Sequence, residues 1–307
     1  MQKHYFDDDI KKEERKSFHN SWFNEETVDY WRHQRMYETI RPLAEFFKDG
    51  TWVSIGDGRY GLDSVRLEKL FGIHVFPTDL SEEMLKKGRE IGLIHNYRVE
   101  NAEKLGFEDN SFDIVFCKES FHHFPRPIIA IYEMIRVCRF AVILIEPCDY
   151  VMLPKPMILL IQMVKLMVNN LLPNNKFIKK EYKIWNSRDW HSFEESGNYV
   201  YSISVRELEK IVHGIDLGGL ACKGFNDHYI KGCEFERAEP NNQMFIKIKG
   251  TIDQDDVKCA KYPIFYSNNF VTSVIFKQTI NEELRKRMTK SGFKFSTKAI
   301  NPYRCNS

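Results

Sequence analysis

The sequence has no C-x-x-C pair and no metal-ligand spacing among its seven cysteines, Cys117, Cys138, Cys148, Cys222, Cys233, Cys259 and Cys305. An odd number of thiols also suits a disulfide framework poorly, so they read as free thiols of a reducing compartment. No charge of one sign dominates. The 45 lysines and arginines face 43 acidic residues, a formal net charge of +2 over 307 residues. That balance lacks the basic surplus that polyphosphate binding uses, so nucleic acid is not expected as a partner. No apolar run reaches the ~20 residues of a membrane span. The nearest, PMILLIQMVKLMVNNLL at 156–172, is interrupted by Gln162, Lys165, Asn169 and Asn170. It reads as a buried helix, a homodimer contact or an interfacial helix rather than a stable membrane insertion. The opening MQKHYFDDDIKKEERK is charged where a signal peptide needs an apolar core, which points to a cytoplasmic protein. Repeats and low-complexity tracts are absent.

What is present is a glycine-rich turn followed by regular alternation. WVSIGDGRYGLDS, 52–64, places glycines at 56, 58 and 61 in a G-x-G-x-x-G pattern. TWVSI reads as a strand before the turn and LDSVRLEKLFG as a helix after it. Strand IHVFPT, helix SEEMLKKGREIG capped by Ser81, strands NYRVE and FDIVFC, helix PIIAIYEMIRVC and strand AVILIEP follow. Such an order implies a doubly wound, mostly parallel α/β sheet whose ligands sit beyond the carboxyl ends of its strands. Residues 20–48 read as one helix with Asn24 available as its cap. Beyond Pro147 the alternation stops for about 55 residues and then resumes with helix SVRELEKIVHGI, strand LACKGF and strand NQMFIKIKG. A last strand-like run, NFVTSVIF, and a charged helix, NEELRKRMTKSG, lie in the tail.

Two cofactor chemistries use this kind of turn. A nicotinamide dinucleotide is one, since Asp79 lies 18 residues past Gly61, near the ribose-binding position. The other follows from FPTDLSEEML (76–85), NAEKLGFEDNSFDIVFCKESFHHF (101–124) and IIAIYEMIRVC (128–138). Together these resemble the class I S-adenosylmethionine-dependent methyltransferases, in the small-molecule branch written as methyltransferase type 11. The resemblance covers about residues 50–147, in order and at the family's spacing. It implies a Rossmann-like, seven-stranded sheet and S-adenosylmethionine as cofactor.

Carried across residue by residue, the resemblance implies that Gly56, Asp57 and Gly58 form the turn against the methionine portion of the cofactor. Asp79 would accept from the ribose hydroxyls and Leu80 would pack on the adenine. Asn101, Ala102 and Glu103 would stand at the adenine edge, and Lys118 near the methionine end. Two positions depart from the family. Ser54 stands where an acid usually precedes the first glycine, and Asn101 replaces the usual aspartate, although an amide still accepts a hydrogen bond. A degenerate, non-catalytic binding protein is the reading those departures favour.

An acceptor needs alignment, exclusion of water and, for a hydroxyl, a base. The strand ends offer Glu119, His122 and His123 from the fourth strand, Glu146 and Asp149 from the fifth, and Asn226, Asp227 and His228 from the sixth. His123, matching the family's histidine, is the first candidate base, unless it is a structural residue bound to backbone. His228 with Asp227 is the second. Glu119, Glu146 and Asp149 lack a recognised metal spacing, so no metal is assigned. Tyr30, Trp31 and Arg35 line the pocket mouth if the leading helix closes over the cofactor; otherwise Trp31 is core. The irregular insertion, with Trp190 and His191 among its aromatic and charged residues, reads as a substrate lid suited to sugars.

The expected organisation is a helical cover at 1–48, a cofactor-binding core at 49–150, a lid at 151–203, the end of the core sheet at 204–250 and an extension at 251–307. The expected activity is O-methylation of a small molecule or glycan.

Overall fold

A computed structural model describes residues 16–149, 163, 199–263 and 266–296. Trp190 and His191 lie outside the described residues. Among the described residues three helices come first: α1 (Lys16–Ser21), α2 (Val28–Glu38) and α3 (Arg41–Phe46). The helix expected over 20–48 is therefore broken. Asn24 spends its side chain on the amide of Glu26, and Thr27 is the residue that caps α2, its hydroxyl accepting from the amide of Tyr30 at 3.1 Å. Pro42 then opens α3, where its missing N–H costs nothing.

The remaining elements are β1 (Trp52–Ile55), α4 (Leu62–Phe71), β2 (Val75–Asp79), α5 (Glu82–Glu90), β3 (Arg98–Val99), β4 (Phe112–Lys118), α6 (Pro127–Val137) and β5 (Cys138–Pro147). After the insertion come α7 (Val205–Gly214), β6 (Gly219–Phe225), α8 (Gln243–Lys261), β7 (Phe270–Phe276), α9 (Glu282–Lys290) and β8 (Lys294–Phe295). Among the described residues the sheet has eight strands in the order β3-β2-β1-β4-β5-β7-β6-β8. Strands β3 to β5 are parallel, and β7 runs antiparallel between β5 and β6.

The alternation of side chains along β4 and β5 divides the core between the two faces. Val115, Cys117, Val142 and Leu144 pack under α6 and α7, against Ile131, Met134, Leu208 and Val212. Ile114, Phe116, Ile143 and Ile145 face α2, α3, α4 and α9, against Met36, Tyr37, Leu67 and Met288. Helix α2 thus anchors its carboxyl-terminal half in the core, and its first half reaches the carboxyl rim of the sheet.

One expected strand is a helix. NQMFIKIKG alternates over seven residues, but it opens α8, with Asn242 accepting from the amide of Phe245. Over the longer window, Phe245, Ile248 and Ile252 recur at helical spacing and pack with Val28 and Cys233, leaving Ile246 exposed. The place in the sheet belongs instead to NFVTSVIF. As β7 it is buried at every position after Phe270, which suits a central strand and not an extension. Residues 226–269 consequently connect β6 to β7 across the rim. No described helix is long and apolar enough to cross a membrane.

Candidate active site

The glycine turn leaves β1 at Ile55 and enters α4 through Gly61. Gly56 has φ +80°, and a Cβ there would lie 2.5 Å from the Cβ of Ser120, so both conformation and contact require glycine. Ser120 donates its hydroxyl to the carbonyl of Gly56 at 2.6 Å, tying the turn to the end of β4. A Cβ on Gly58 would stand 2.9 Å from the carboxylate of Asp79. That carboxylate, half-buried at the end of β2, accepts from the amide of Ser81 at 2.7 Å and is held over the turn. Asp57 points the other way. It is buried and accepts from the amides of Asp63 and Ser64 and from the Ser64 hydroxyl, at 2.6–3.0 Å, anchoring the first turn of α4. Burial and the neighbouring carboxylate of Asp63 push Asp57 up to about 7. Ser54, two residues before Gly56, is buried with no hydrogen-bond partner for its hydroxyl among the described residues.

At the adenine edge, Ala102 is core, and Asn101 uses its side chain to accept from the amide of Glu103. The carboxylate of Glu103 holds Arg126, through the backbone amide at 2.6 Å and Nε at 2.8 Å, and so links the loop after β3 to the start of α6.

The ends of β4 and β5 form the centre of the rim. Glu146 is buried and accepts from the amides of Ser120 and Phe121 through one oxygen, each at 3.0 Å. Its other oxygen lies 2.6 Å from Nδ1 of His122. A carboxylate thereby fixes the ring of His122, and the ring of His123 follows at 4.0 Å between centroids. Glu119 is held at φ +49°, a conformation sparsely used by residues with a Cβ. Its carboxylate meets Nζ of Lys118 at 2.9 Å and Nδ1 of His33 at 3.1 Å. Burial alone would raise the Glu119 carboxyl, but Lys118 and His33 hold it well below the usual carboxylate range. Burial likewise opposes the charge of Lys118, and the carboxylates of Asp63 and Glu119 override it and raise this lysine.

These contacts continue into a buried network on α2. Tyr37 bonds Asp63, and Lys118 lies 3.7 Å from the same carboxylate. Arg32 bonds Asp227 through Nε at 3.0 Å and a second nitrogen, and Asp29 through Nη1 at 2.9 Å. Arg59, the cation of the glycine turn, reaches His33 Nε2 at 3.0 Å and Asp29 at 3.8 Å. Burial would raise Asp29, yet His33, Arg59 and Arg32 set it far below its ordinary value. Above the network opens a cavity of about 410 Å³, within the range of small-molecule pockets. Asp29, Arg32, His33, Arg59 and Glu119 line it, with Asp227, His228, Tyr229 and Glu234 opposite.

Helix α2 turns a different face to this cavity from the one the sequence suggested. Tyr30 lies beneath the guanidinium of Arg66, and Trp31 packs edge-on against Phe245 of α8 at 5.0 Å. Arg35 stacks on Trp31 and donates to the carbonyl of Asn226. Asp29, Arg32 and His33 carry the cavity wall, and sequence reasoning missed them. Their i, i+3, i+4 spacing was the available signal, since it sets all three on one stripe. Asp227 is engaged by Arg32, which separates it from the pairing with His228 suggested by their adjacency. His228 does line the cavity, as does Glu119.

A Rossmann-like sheet with a glycine turn, an acid ending the second strand and polar groups along one rim is the architecture the sequence resemblance implied. Residues 53–145 match the family model described as a methyltransferase domain. Phosphoethanolamine N-methyltransferase 2 of Caenorhabditis elegans is 33% identical over 93 residues, 28% of this chain and 21% of that protein. The chain thus matches about a fifth of that relative's length. Among solved structures, magnesium protoporphyrin IX methyltransferase from Synechocystis PCC 6803 with bound SAH is 14% identical, with 80% of this chain and 84% of that one covered and a TM-score of 0.42. A SAM-dependent methyltransferase from Aquifex aeolicus is 23% identical, with coverages of 44% and 77% and a TM-score of 0.32. Over residues 53–145 the chain is similar to methyltransferase domains, a likeness that implies S-adenosylmethionine as cofactor. The turn at Gly56 and Gly58, with Asp79 leaning over it, suits that cofactor.

Proposed function

We propose that the protein is an S-adenosylmethionine-dependent methyltransferase acting on a small polar acceptor in the cavity between α2 and the segment after β6. The observation that carries this reading is the joining of the cavity to the glycine turn through Arg59, which belongs to the turn and lines the cavity, and through Glu119, a cavity residue whose neighbour Ser120 bonds Gly56. Bound S-adenosylmethionine supplies an electrophilic methyl group on a sulfonium. The chain's part is to hold, align and dry the reactants. Gly56 and Gly58 leave room for close approach of the backbone, and Asp79 offers acceptors to hydroxyl donors. Arg59 is placed to meet a carboxylate.

For the acceptor, a hydroxyl is the reading favoured by the histidines on the rim. Glu146 fixes the ring of His122 through Nδ1, which orders the short turn carrying His123; neither ring lines the cavity, so for His123 to act as base the acceptor hydroxyl must extend from the cavity to that turn. The sugar reading leans on Trp190 and His191 and stays with them outside the described residues. An amine acceptor is the second reading, favoured by the carboxylates of the cavity and in keeping with the name of the worm relative. Incubation with labelled cofactor and matched panels of alcohols, sugars and amines, read by mass spectrometry, separates the two. Products methylated only on nitrogen would overturn O-methylation, and no product from any panel together with no cofactor binding would overturn the activity.

A further inference from the structure

The cavity wall carries more negative than positive charge. Two cations, Arg32 and Arg59, face four carboxylates, Asp29, Glu119, Asp227 and Glu234. The first three have cationic partners: Arg32 for Asp29 and Asp227, Lys118 for Glu119. Glu234 has none among the described residues. It is 4% exposed, and its oxygens accept only from neutral donors, the Tyr229 hydroxyl at 2.5 Å and the amide of Gly232 at 2.8 Å. A buried carboxylate ordinarily acquires a countercharge, since burial of an unpaired charge is costly. Here the side open to a countercharge is the cavity. Tyr229 stands beside it, with the Arg32 guanidinium over its ring at 5.2 Å and the rest of the ring half-exposed, and Phe18 and Phe270 add aromatic wall. Carboxylate with aromatic faces is the combination that receives an organic cation, by charge and by cation–π attraction.

We propose that this end of the cavity is a cation subsite, and that the acceptor carries a protonated amine or another organic cation which Glu234 neutralises against Tyr229. The proposal rests on the cavity being the acceptor site of the methyltransferase described above. It assigns Glu234 a role in specificity and leaves the methylated atom to the β4 side of the cavity, where Glu119 and the glycine turn lie.

Cyclohexylammonium and cyclohexanol are matched in shape and differ in charge, so titration of each into the full chain by calorimetry reads the subsite directly. The expected result is binding of the cation at least tenfold tighter than the alcohol. Glu234→Gln keeps its oxygen for the amide of Gly232 and turns its NH2 to the Tyr229 hydroxyl, which can accept, while removing the charge, and reduces the ratio to less than threefold. Tyr229→Leu, at a half-exposed position, weakens the cation several-fold and leaves the alcohol unchanged; it serves if the glutamine variant does not fold. Equal binding of the two probes to the wild type, or a ratio that survives Glu234→Gln, overturns the subsite. S-adenosylmethionine is titrated into the same preparations. Cofactor binding without discrimination between probes sinks the subsite alone, whereas discrimination without cofactor binding sinks the methyltransferase reading and leaves the subsite standing.

Discussion

Replacing Arg32 by methionine removes the guanidinium that joins α2 to the end of β6. Side-chain exposures are 5% for Arg32, 10% for Asp29 and 3% for Asp227, so all three charges lie within the protein. Without the arginine, Asp227 loses its cation, while Asp29 keeps His33 and Arg59 within 3.5 and 3.8 Å. Leaving one buried carboxylate unpaired costs about 3–5 kcal/mol, a large share of a stability of about 5–15 kcal/mol. In thermal unfolding this is a fall of roughly 6 °C or more. The companion Arg32→Met/Asp227→Leu variant removes the stranded charge together with its partner and recovers at least about 1 kcal/mol relative to Arg32→Met. Urea unfolding at neutral pH of the wild type, both single variants and the double variant completes the cycle. A loss below about 1 kcal/mol in Arg32→Met, the scale of a solvated surface pair, would refute the buried network.

Gly56→Ala combines a left-handed backbone with a Cβ pressed on Ser120. It is expected to lower stability by about 1–2 kcal/mol or more and to abolish cofactor binding, with Ser120→Gly relieving the stability loss in part, as read by calorimetry and thermal melts. Asp57 has a folded value near 7, above its unfolded value near 4, so its contribution to stability is fully present below about pH 4 and is lost as pH rises through 7. Asp57→Asn should flatten that part of the pH–stability curve. Asp29 and Glu119 have the opposite sign. Their contribution is present above about pH 4 and is lost on acidification, so Glu119→Gln should shallow the acid limb of unfolding measured between pH 5 and 2. Glu146→Gln leaves an acceptor for the amides of Ser120 and Phe121 but loosens the ring of His122. It is expected to lower kcat about tenfold or more with little change in cofactor affinity, measured by steady-state methyl transfer.

The strands from β1 to β5 and the glycine turn were legible in the sequence because each is local. A short apolar run is bounded by turn residues, and glycine spacing marks the turn itself. NQMFIKIKG misled because seven residues alternate as well in a strand as on a helix whose apolar stripe continues to Ile252. The true seventh strand, NFVTSVIF, carries no alternation because both of its faces are buried, and it was assigned to a tail. The cavity wall was hidden for a different reason. Charged residues on a helix ordinarily face solvent, and nothing near Arg32 in the chain announces Asp227, 195 residues further on. In the same way Trp31, Arg35 and Asp57 stand beside the site in sequence while their side chains serve packing and helix anchoring.

The central claim is that the turn at Gly56 and Gly58, overhung by Asp79, receives an adenosyl cofactor. Calorimetric titration of S-adenosylmethionine and S-adenosylhomocysteine, beside NAD(H) and NADP(H), tests it on the wild type and on Asp79→Ala. The account predicts sub-millimolar binding of both adenosyl compounds, no binding of the dinucleotides, and at least a tenfold loss in Asp79→Ala from the missing charge-assisted hydrogen bonds, worth about 1.5–3 kcal/mol each. Dinucleotide binding, or adenosyl binding indifferent to Asp79, would contradict it.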